Sequence, residues 1–160
     1  MASTRKSPAR KVPAPKAQDA VAMLRADHKK VSGLFAEFDK ARSATRKKTL
    51  VAAICAELSV HAQVEEEIFY PTVKAALKDR KLIPEALVEH ATMKELIAQV
   101  DGVEPDGEMY DAKVKVLSEY VKHHVKEEHT EIFPKARKTR LDMHTLGARM
   151  AARKLELAGS

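Results

Sequence analysis

Histidine and glutamate recur in this chain at a spacing that suits metal binding. The segments HAQVEEEIFYP, from His61, and HVKEEHTEIFP, from His124, each place a glutamate four residues after the first histidine and end in proline. The same offset relates His61 to His124, Glu65 to Glu128 and one proline to the other, so the segments are copies of one unit. Residues four apart share a helix face, so each pair aims an imidazole and a carboxylate at one point.

A further histidine precedes each copy at nearly the same remove, His28 before the first and His90 before the second. Four helices carrying these groups would bring four imidazoles and two carboxylates together, and four-helix bundles hold metal pairs with inward-facing Glu and His in this way. We therefore expect six metal ligands: His28, His61, Glu65, His90, His124 and Glu128. The alternative is that each His–Glu pair lies on an exposed helix surface and stabilises its helix by a few tenths of a kcal/mol. This alternative leaves the shared offsets unexplained.

Apolar residues at helical spacing predict the helices that position these groups. The first runs from an Asp19 cap to about Ala41, and the second from about Arg46 to Lys78, kinked or broken at Pro71. The third begins near Pro84 and ends near Val100, and the fourth spans residues 108–136. We predict an all-α fold: an antiparallel, up-down-up-down four-helix bundle over residues 19–136.

The two ends of the chain differ from this central part. Residues 1–18 combine prolines with basic residues and contain no acid, so we expect a disordered basic tail. Residues 137–160 predict a C-terminal helical extension that packs on the bundle or on a partner chain. The net charge of +6 belongs to these ends, because residues 19–136 carry a net negative charge. A weak contact of the tail with nucleic acid is an alternative to a purely solubilising role.

Composition limits the class of protein. The 160 residues suit one domain, and the single cysteine, Cys55, forms no intrachain disulfide and fits a reducing compartment as a small core residue. No apolar run is long enough to span a membrane, and charges occupy the place of a signal peptide's apolar stretch. We expect a cytoplasmic monomer or weak homo-oligomer.

The doubled motif resembles the hemerythrin family in its bacterial His-His-Glu cation-binding form, over about residues 20–136. The resemblance implies a bundle around a non-haem di-iron centre, with the four histidines as terminal ligands and Glu65 and Glu128 bridging two Fe ions. Oxygen-carrying members have a further histidine where this chain has Lys94, and an Asp one residue later than Glu128. Fewer histidines leave more open positions on the metals.

Several neighbouring residues are candidates for supporting roles. Tyr120 and Glu57 fall one turn before His124 and His61, where each could ligate a metal or orient an imidazole. Lys94 and Tyr120 are the candidate proton donors for any catalysis. We interpret three acidic residues as a solvated face near the mouth of the site: Glu66, Glu67 and Glu127. His144 lies outside the repeat and receives no role.

These residues predict a protein that binds a diatomic ligand, O2 or NO, for sensing, storage or detoxification. One rival is a di-iron oxidase or peroxidase. The other is a module in which the metal is structural or senses iron and the basic ends dock to a partner. Mixed imidazole and carboxylate ligation suits Fe, Mn or Zn, so the choice of iron depends on the resemblance.

Overall fold

Helices make up the architecture of the computed structural model, which describes residues 18–159; these residues contain no strand. The α-helices are α1 (Ala20–Lys40), α2 (Ala44–Val64), α3 (Tyr70–Leu77), α4 (Leu82–Val100), α5 (Glu108–Glu127), α6 (Phe133–Arg137) and α7 (Met143–Ala158). One π-turn, Glu65–Phe69, joins α2 to α3, and a second, Glu128–Ile132, joins α5 to α6. The four arms α1, α2–α3, α4 and α5–α6 form the predicted antiparallel bundle, with α1 packed on α2 and α4 on α5.

Side-chain caps fix where the first helices begin. The Asp19 carboxylate accepts a hydrogen bond from the Ala22 N–H at 2.7 Å, as predicted, and Ser43 caps α2 two residues earlier than expected. Lys78 ends α3 in the left-handed conformation, with φ of 52°. Asp79 then accepts from the N–H groups of Leu82 and Ile83, which places the start of α4 before Pro84.

The interruption predicted at the prolines takes the form of a π-turn in both copies. The Tyr70 N–H bonds to the Glu65 carbonyl, and the Phe133 N–H bonds to the Glu128 carbonyl, each five residues back. The helix continues through both prolines. Each proline directly follows the residue whose N–H closes the π-turn, Tyr70 or Phe133. Each π-turn therefore begins at a glutamate predicted to bind metal.

The predicted site residues lie between two apolar clusters. One cluster surrounds Leu24, Tyr70 and Phe133, and the other surrounds Phe35, Ile54 and Leu117. Along every arm a histidine separates the two; in α1, for example, His28 lies between Leu24 and Val31. Cys55 is a buried free thiol in the second cluster, as predicted. The apolar layers on both sides keep water from the polar layer between them.

The C-terminal extension contains one helix, α7. α6 ends at Arg137, and Asp142 caps α7 by accepting from the N–H groups of His144 and Thr145. α7 packs on α1 and α2 through Met143, Leu146, Gly147 and Met150. Leu155, near the end of α7, is 73% exposed.

The predicted basic tail lies, up to residue 17, outside the described residues. Within residues 18–159 no helix combines the length and the apolar character that a bilayer crossing requires.

Gly147 tests the docking of α7. A Cβ there would lie 2.2 Å from the Gln18 carbonyl oxygen, whereas a Cβ at Gly33 would meet nothing within 4 Å. We expect Gly147→Ala to lower the free energy of unfolding by about 1–3 kcal/mol, as overpacking does, and Gly33→Ala to raise it by up to about 1 kcal/mol through helix propensity. Thermal unfolding measures both, and equal stability of the two variants would contradict the close contact.

Candidate metal centre

Four imidazoles face one another inside the bundle. The Nε2 atoms of His28 and His61 are 3.2 Å apart, and those of His90 and His124 are 3.1 Å apart. All four side chains are less than a tenth exposed. The predicted histidines therefore meet in two pairs, one from α1 and α2 and the other from α4 and α5.

Two carboxylates with no exposed surface connect these pairs. Glu65 Oε1 lies 2.9 Å from His61 Nε2 and 3.4 Å from His90 Nε2. Glu128 Oε1 lies 3.3 Å from His28 Nε2 and 3.2 Å from His124 Nε2. Each carboxylate thus touches one histidine of each pair, the arrangement that a bridging ligand requires.

All six predicted ligands fall into two groups of three. The ligand atoms of His28, His61 and Glu128 lie within 4.8 Å of one another, as do those of Glu65, His90 and His124. Each group contains two imidazoles and one carboxylate. Non-haem iron sites use this donor set when some coordination positions on the metal must stay open for other ligands.

Hydrogen bonding does not satisfy the centre of this cluster. Both oxygens of Glu65 and Oε1 of Glu128 are buried without a hydrogen-bond partner, and only the Tyr110 hydroxyl shares that state among the described residues. His61 Nε2 is close to Glu65 Oε1, but the pair lacks hydrogen-bond geometry. Buried carboxylates without partners cost several kcal/mol, and bound cations remove that cost. The residues therefore fit a metal pair.

The outer nitrogen of every imidazole has its own partner. His61 Nδ1 lies 2.9 Å from Asp27, His90 Nδ1 3.1 Å from Glu66, and His124 Nδ1 3.1 Å from Glu89. His28 Nδ1 differs, because its partner at 2.9 Å is His129 Nε2. Such partners leave Nε2 of each ring free to bind a metal and hold the ring in place.

These outer partners also follow the sequence repeat. Asp27 and Glu89 each immediately precede an upstream histidine, and Glu66 and His129 each immediately follow a buried glutamate. The interpretation of Glu66 as part of a solvated face is therefore wrong: it accepts from Lys94 Nζ at 2.6 Å and holds His90. Sequence reasoning could have found this set by extending the repeat one residue beyond the ligands.

Tyr70 is a site residue that sequence reasoning missed. Its hydroxyl donates to Glu128 Oε2 at 3.1 Å and lies 3.1 Å from His124 Nε2 and 3.3 Å from His90 Nε2. In a regular helix, at about 100° per residue, Tyr70 would point about 140° away from Glu65. The π-turn has more residues per turn and brings it inward. The second copy has Phe133 at this position, stacked on His28 at 5.9 Å.

Tyr120 and Glu57 lie outside the cluster, so their candidate roles as ligands are corrected. Tyr120 is 43% exposed, and Glu57 pairs with Lys30 at 2.6 Å. The two are equivalent positions of the repeat, one turn before His124 and His61. The buried stripe runs on the opposite side of each histidine, through Val121 on α5 and Leu58 on α2. A spacing of one turn from a histidine therefore does not decide whether a side chain faces the core or the solvent.

Lys94 and the remaining acidic candidates lie at the edge of the site. The Lys94 side chain is 51% exposed, and its ammonium reaches His90 only through Glu66. Glu127 belongs to a surface group with Glu89 and His123, and the His123 side chain is 72% exposed. Glu67 pairs with Arg153, and His144 joins no metal-binding group in the described part of the chain.

Without a metal, the charges of the cluster favour binding of protons to its imidazoles. Burial lowers the pKa of His61, but the charge of Glu65 and the hydrogen bond to Asp27 raise it to about 10. Burial also opposes the rise at His124, where Glu128 and Glu89 raise the pKa to about 10. Burial and the charges of Glu65 and Glu128 raise the pKa of the Tyr70 hydroxyl well above its ordinary value. Two imidazoles are therefore protonated at neutral pH until a metal displaces the protons.

Metal loading should consequently release protons. Because His61 and His124 keep their protons up to about pH 10, we expect metal affinity to rise continuously from pH 6 to pH 9, with about two protons released per chain. Calorimetric titration of the metal-free chain in buffers of different ionisation enthalpy measures this number. Imidazoles of ordinary pKa would give an affinity that levels off above about pH 7, and that result would contradict the raised values.

Comparisons with known proteins agree with this geometry. A hemerythrin HHE cation binding domain-containing protein of Mycobacterium kansasii superposes with a TM-score of 0.76 at 23% identity, covering 89% of this chain and 88% of that one. A DNA nickase of Nostoc sp. is 29% identical over 111 residues, which are 69% of this chain but only 31% of that relative. The family profile described as Hemerythrin HHE cation binding domain matches residues 19–136. The chain therefore belongs to the hemerythrin HHE cation-binding family.

Proposed function

We propose that this chain holds two iron ions between its four histidines and two buried glutamates and binds a diatomic ligand, O2 or NO, beside them. Each group of two imidazoles and one carboxylate matches a donor set used by non-haem iron. Bound iron supplies a reducible centre with open positions for such ligands. The chain's own residues hold the metals, orient the imidazoles and keep water away.

The observation that carries the proposal is a small apolar cavity against the histidines. Its volume is about 30 Å³, and all four predicted ligand histidines line it. Aliphatic and thioether side chains form most of its remaining wall: Val31, Leu58, Ala62, Met93, Ile97, Val121 and Val125. A cavity of this size accepts one water-sized or diatomic molecule, and its walls favour an uncharged one.

The same cavity argues against a nucleic-acid substrate at the metals. The name of the Nostoc relative refers to a protein of which this chain spans 31%. A phosphodiester group with its sugars does not fit a space of about 30 Å³ enclosed by four helices. We therefore assign a small gaseous ligand to the centre and no DNA cleavage.

Substitution of the ligands tests the metal assignment. His61→Ala and Glu65→Ala each remove a donor from the cluster, so we expect metal content to fall by at least half. The thermal stabilisation that added metal gives should fall with it, because metal binding is coupled to folding. Elemental analysis and melting curves with and without added iron measure both effects.

His144→Ala is the matched control for these variants. His144 lies on α7 outside every metal-binding group of the described residues, so metal content and melting temperature should stay at the level of the unsubstituted chain. Equal behaviour of His144→Ala and His61→Ala would show that the site assignment is wrong.

Filling the cavity tests the ligand separately from the metal. Ala62 lines the cavity, so Ala62→Leu should keep the metal pair but weaken binding of O2 or NO at least tenfold. Ala53→Leu makes the same change on an exposed face of α2 and should leave ligand binding unchanged. Optical titration of the reduced, iron-loaded variants with NO measures the affinity. Unchanged NO affinity in Ala62→Leu would contradict the cavity as the binding place.

A second candidate function, activation of oxygen or peroxide, is favoured by Lys94. This lysine lines the cavity, and its ammonium contacts Glu66, the partner of His90. The titration that measures affinity also separates the candidates. A binder gives a stable stoichiometric adduct, whereas an oxidase or peroxidase consumes its substrate continuously.

A further inference from the structure

The C-terminal helix α7 reaches the partners of the metal-binding histidines although it lies outside the residues that the family profile matches. The family profile ends at residue 136, and α7 spans Met143–Ala158. Its buried residues pack against α1 and α2, and Gly147 lets its backbone approach the start of α1 closely. This packing brings the last turns of α7 alongside the His61 end of the centre.

A continuous polar path leads from α7 to the centre. The Lys154 ammonium contacts Asp27 Oδ1, and the other oxygen of Asp27 lies 2.9 Å from His61 Nδ1. His61 Nε2 in turn faces Glu65 and His28. The Asp27 side chain is only 12% exposed and that of Lys154 37%, so water screens this path less than an open surface pair.

A second ion pair ties α7 to the π-turn that carries Glu65. The Arg153 guanidinium donates from Nε to Glu67 Oε2 at 2.7 Å and from Nη2 to Glu67 Oε1 at 3.2 Å. Glu67 lies two residues after Glu65. Two successive residues of α7 therefore contact the surroundings of one metal-binding arm, and this fixes the helix in register with the site.

The counterpart of Asp27 in the other half of the repeat has no lysine contact among the described residues. Glu89, the counterpart of Asp27, holds His124 and has His123 as its second neighbour, at 3.5 Å. The His90 and His124 pair has a lysine from the bundle itself instead, because Lys94 contacts Glu66, the partner of His90. Lys154 is the cation that α7 adds to the His61 pair from outside the bundle. A cation on the outer side of Asp27 draws negative charge away from the His61 Nδ1–H, which makes His61 a weaker electron donor to a metal.

We propose that α7 is a functional part of the metal centre, in which Lys154 is a positioning residue that acts on His61 through Asp27 and raises the reduction potential of the metal pair. The inference rests on the proposed iron centre and extends it, because it assigns control of the metal's electronics to a segment beyond the bundle. Weaker donation by His61 favours the reduced metal, which is the form that takes up O2 or NO.

Spectroelectrochemical titration of the iron-loaded chain tests this proposal. We expect Lys154→Met to lower the reduction potential, and Lys154→Arg, which keeps the cation, to stay near the unsubstituted chain. Lys135→Met removes a lysine from a half-exposed surface pair with Glu131 and should have no effect. A potential in Lys154→Met equal to that in Lys135→Met would overturn the proposal.

The path through Asp27 is tested by combining variants. In an Asp27→Asn background, with iron in excess to offset a 10–100-fold loss of affinity typical of such partners, Lys154→Met should no longer change the potential. A shift of undiminished size would mean that the charge acts through space and would overturn the role of Asp27. The Nδ1 proton resonance of His61 in zinc-loaded chain is an independent readout, and it should move to lower field in Lys154→Met but not in Lys135→Met.

Metal analysis of every sample separates the two levels of the account. A normal iron content with unchanged potentials in Lys154→Met would overturn only the role of α7. An unsubstituted chain that takes up no metal from excess iron would overturn the proposed function and this inference together.

Discussion

Glu65 and Glu128 are carboxylates buried without exposed surface, and both oxygens of Glu65 and one oxygen of Glu128 have no hydrogen-bond partner. Most of the architecture can be understood as the enclosure of these two groups. Four imidazoles surround them, apolar clusters lie on both sides, and further side chains hold the outer nitrogens of the imidazoles. Such an arrangement is stable only when positive charge lies at its centre, either as protons on His61 and His124 or as metal ions.

The duplication of the motif gives the centre its near-symmetry, and two departures from it make the halves chemically different. Tyr70 places a hydroxyl beside His90 and His124, whereas its counterpart Phe133 presents only a ring face to His28. Likewise a carboxylate, Glu66, holds His90, whereas an imidazole, His129, holds His28. Two metals in this centre would therefore differ in electron density and in hydrogen-bonding neighbours, although their direct ligands are matched.

The sequence was informative where a helical period of 3.6 residues held. The spacing of the histidines and glutamates predicted the bundle, and the structure brings all six predicted ligands together. Prediction failed where the helical period changed, or where packing against neighbouring helices determined the position of a side chain. Tyr70 lies beyond a π-turn that no local pattern announces, and the positions of Tyr120 and Glu57 depended on which side of each histidine faces the core. The contact between Lys154 and Asp27 joins residues far apart in the chain, and only the packing of α7 reveals it.

The most direct test of the central claim is the metal content per chain together with the near-ultraviolet and visible spectrum. These are measured on protein purified in air and again after anaerobic reduction and re-exposure to oxygen. The account predicts two irons per chain and charge-transfer bands that bleach on reduction and return with oxygen. Zinc alone, or no metal, in protein expressed with ample iron would contradict it.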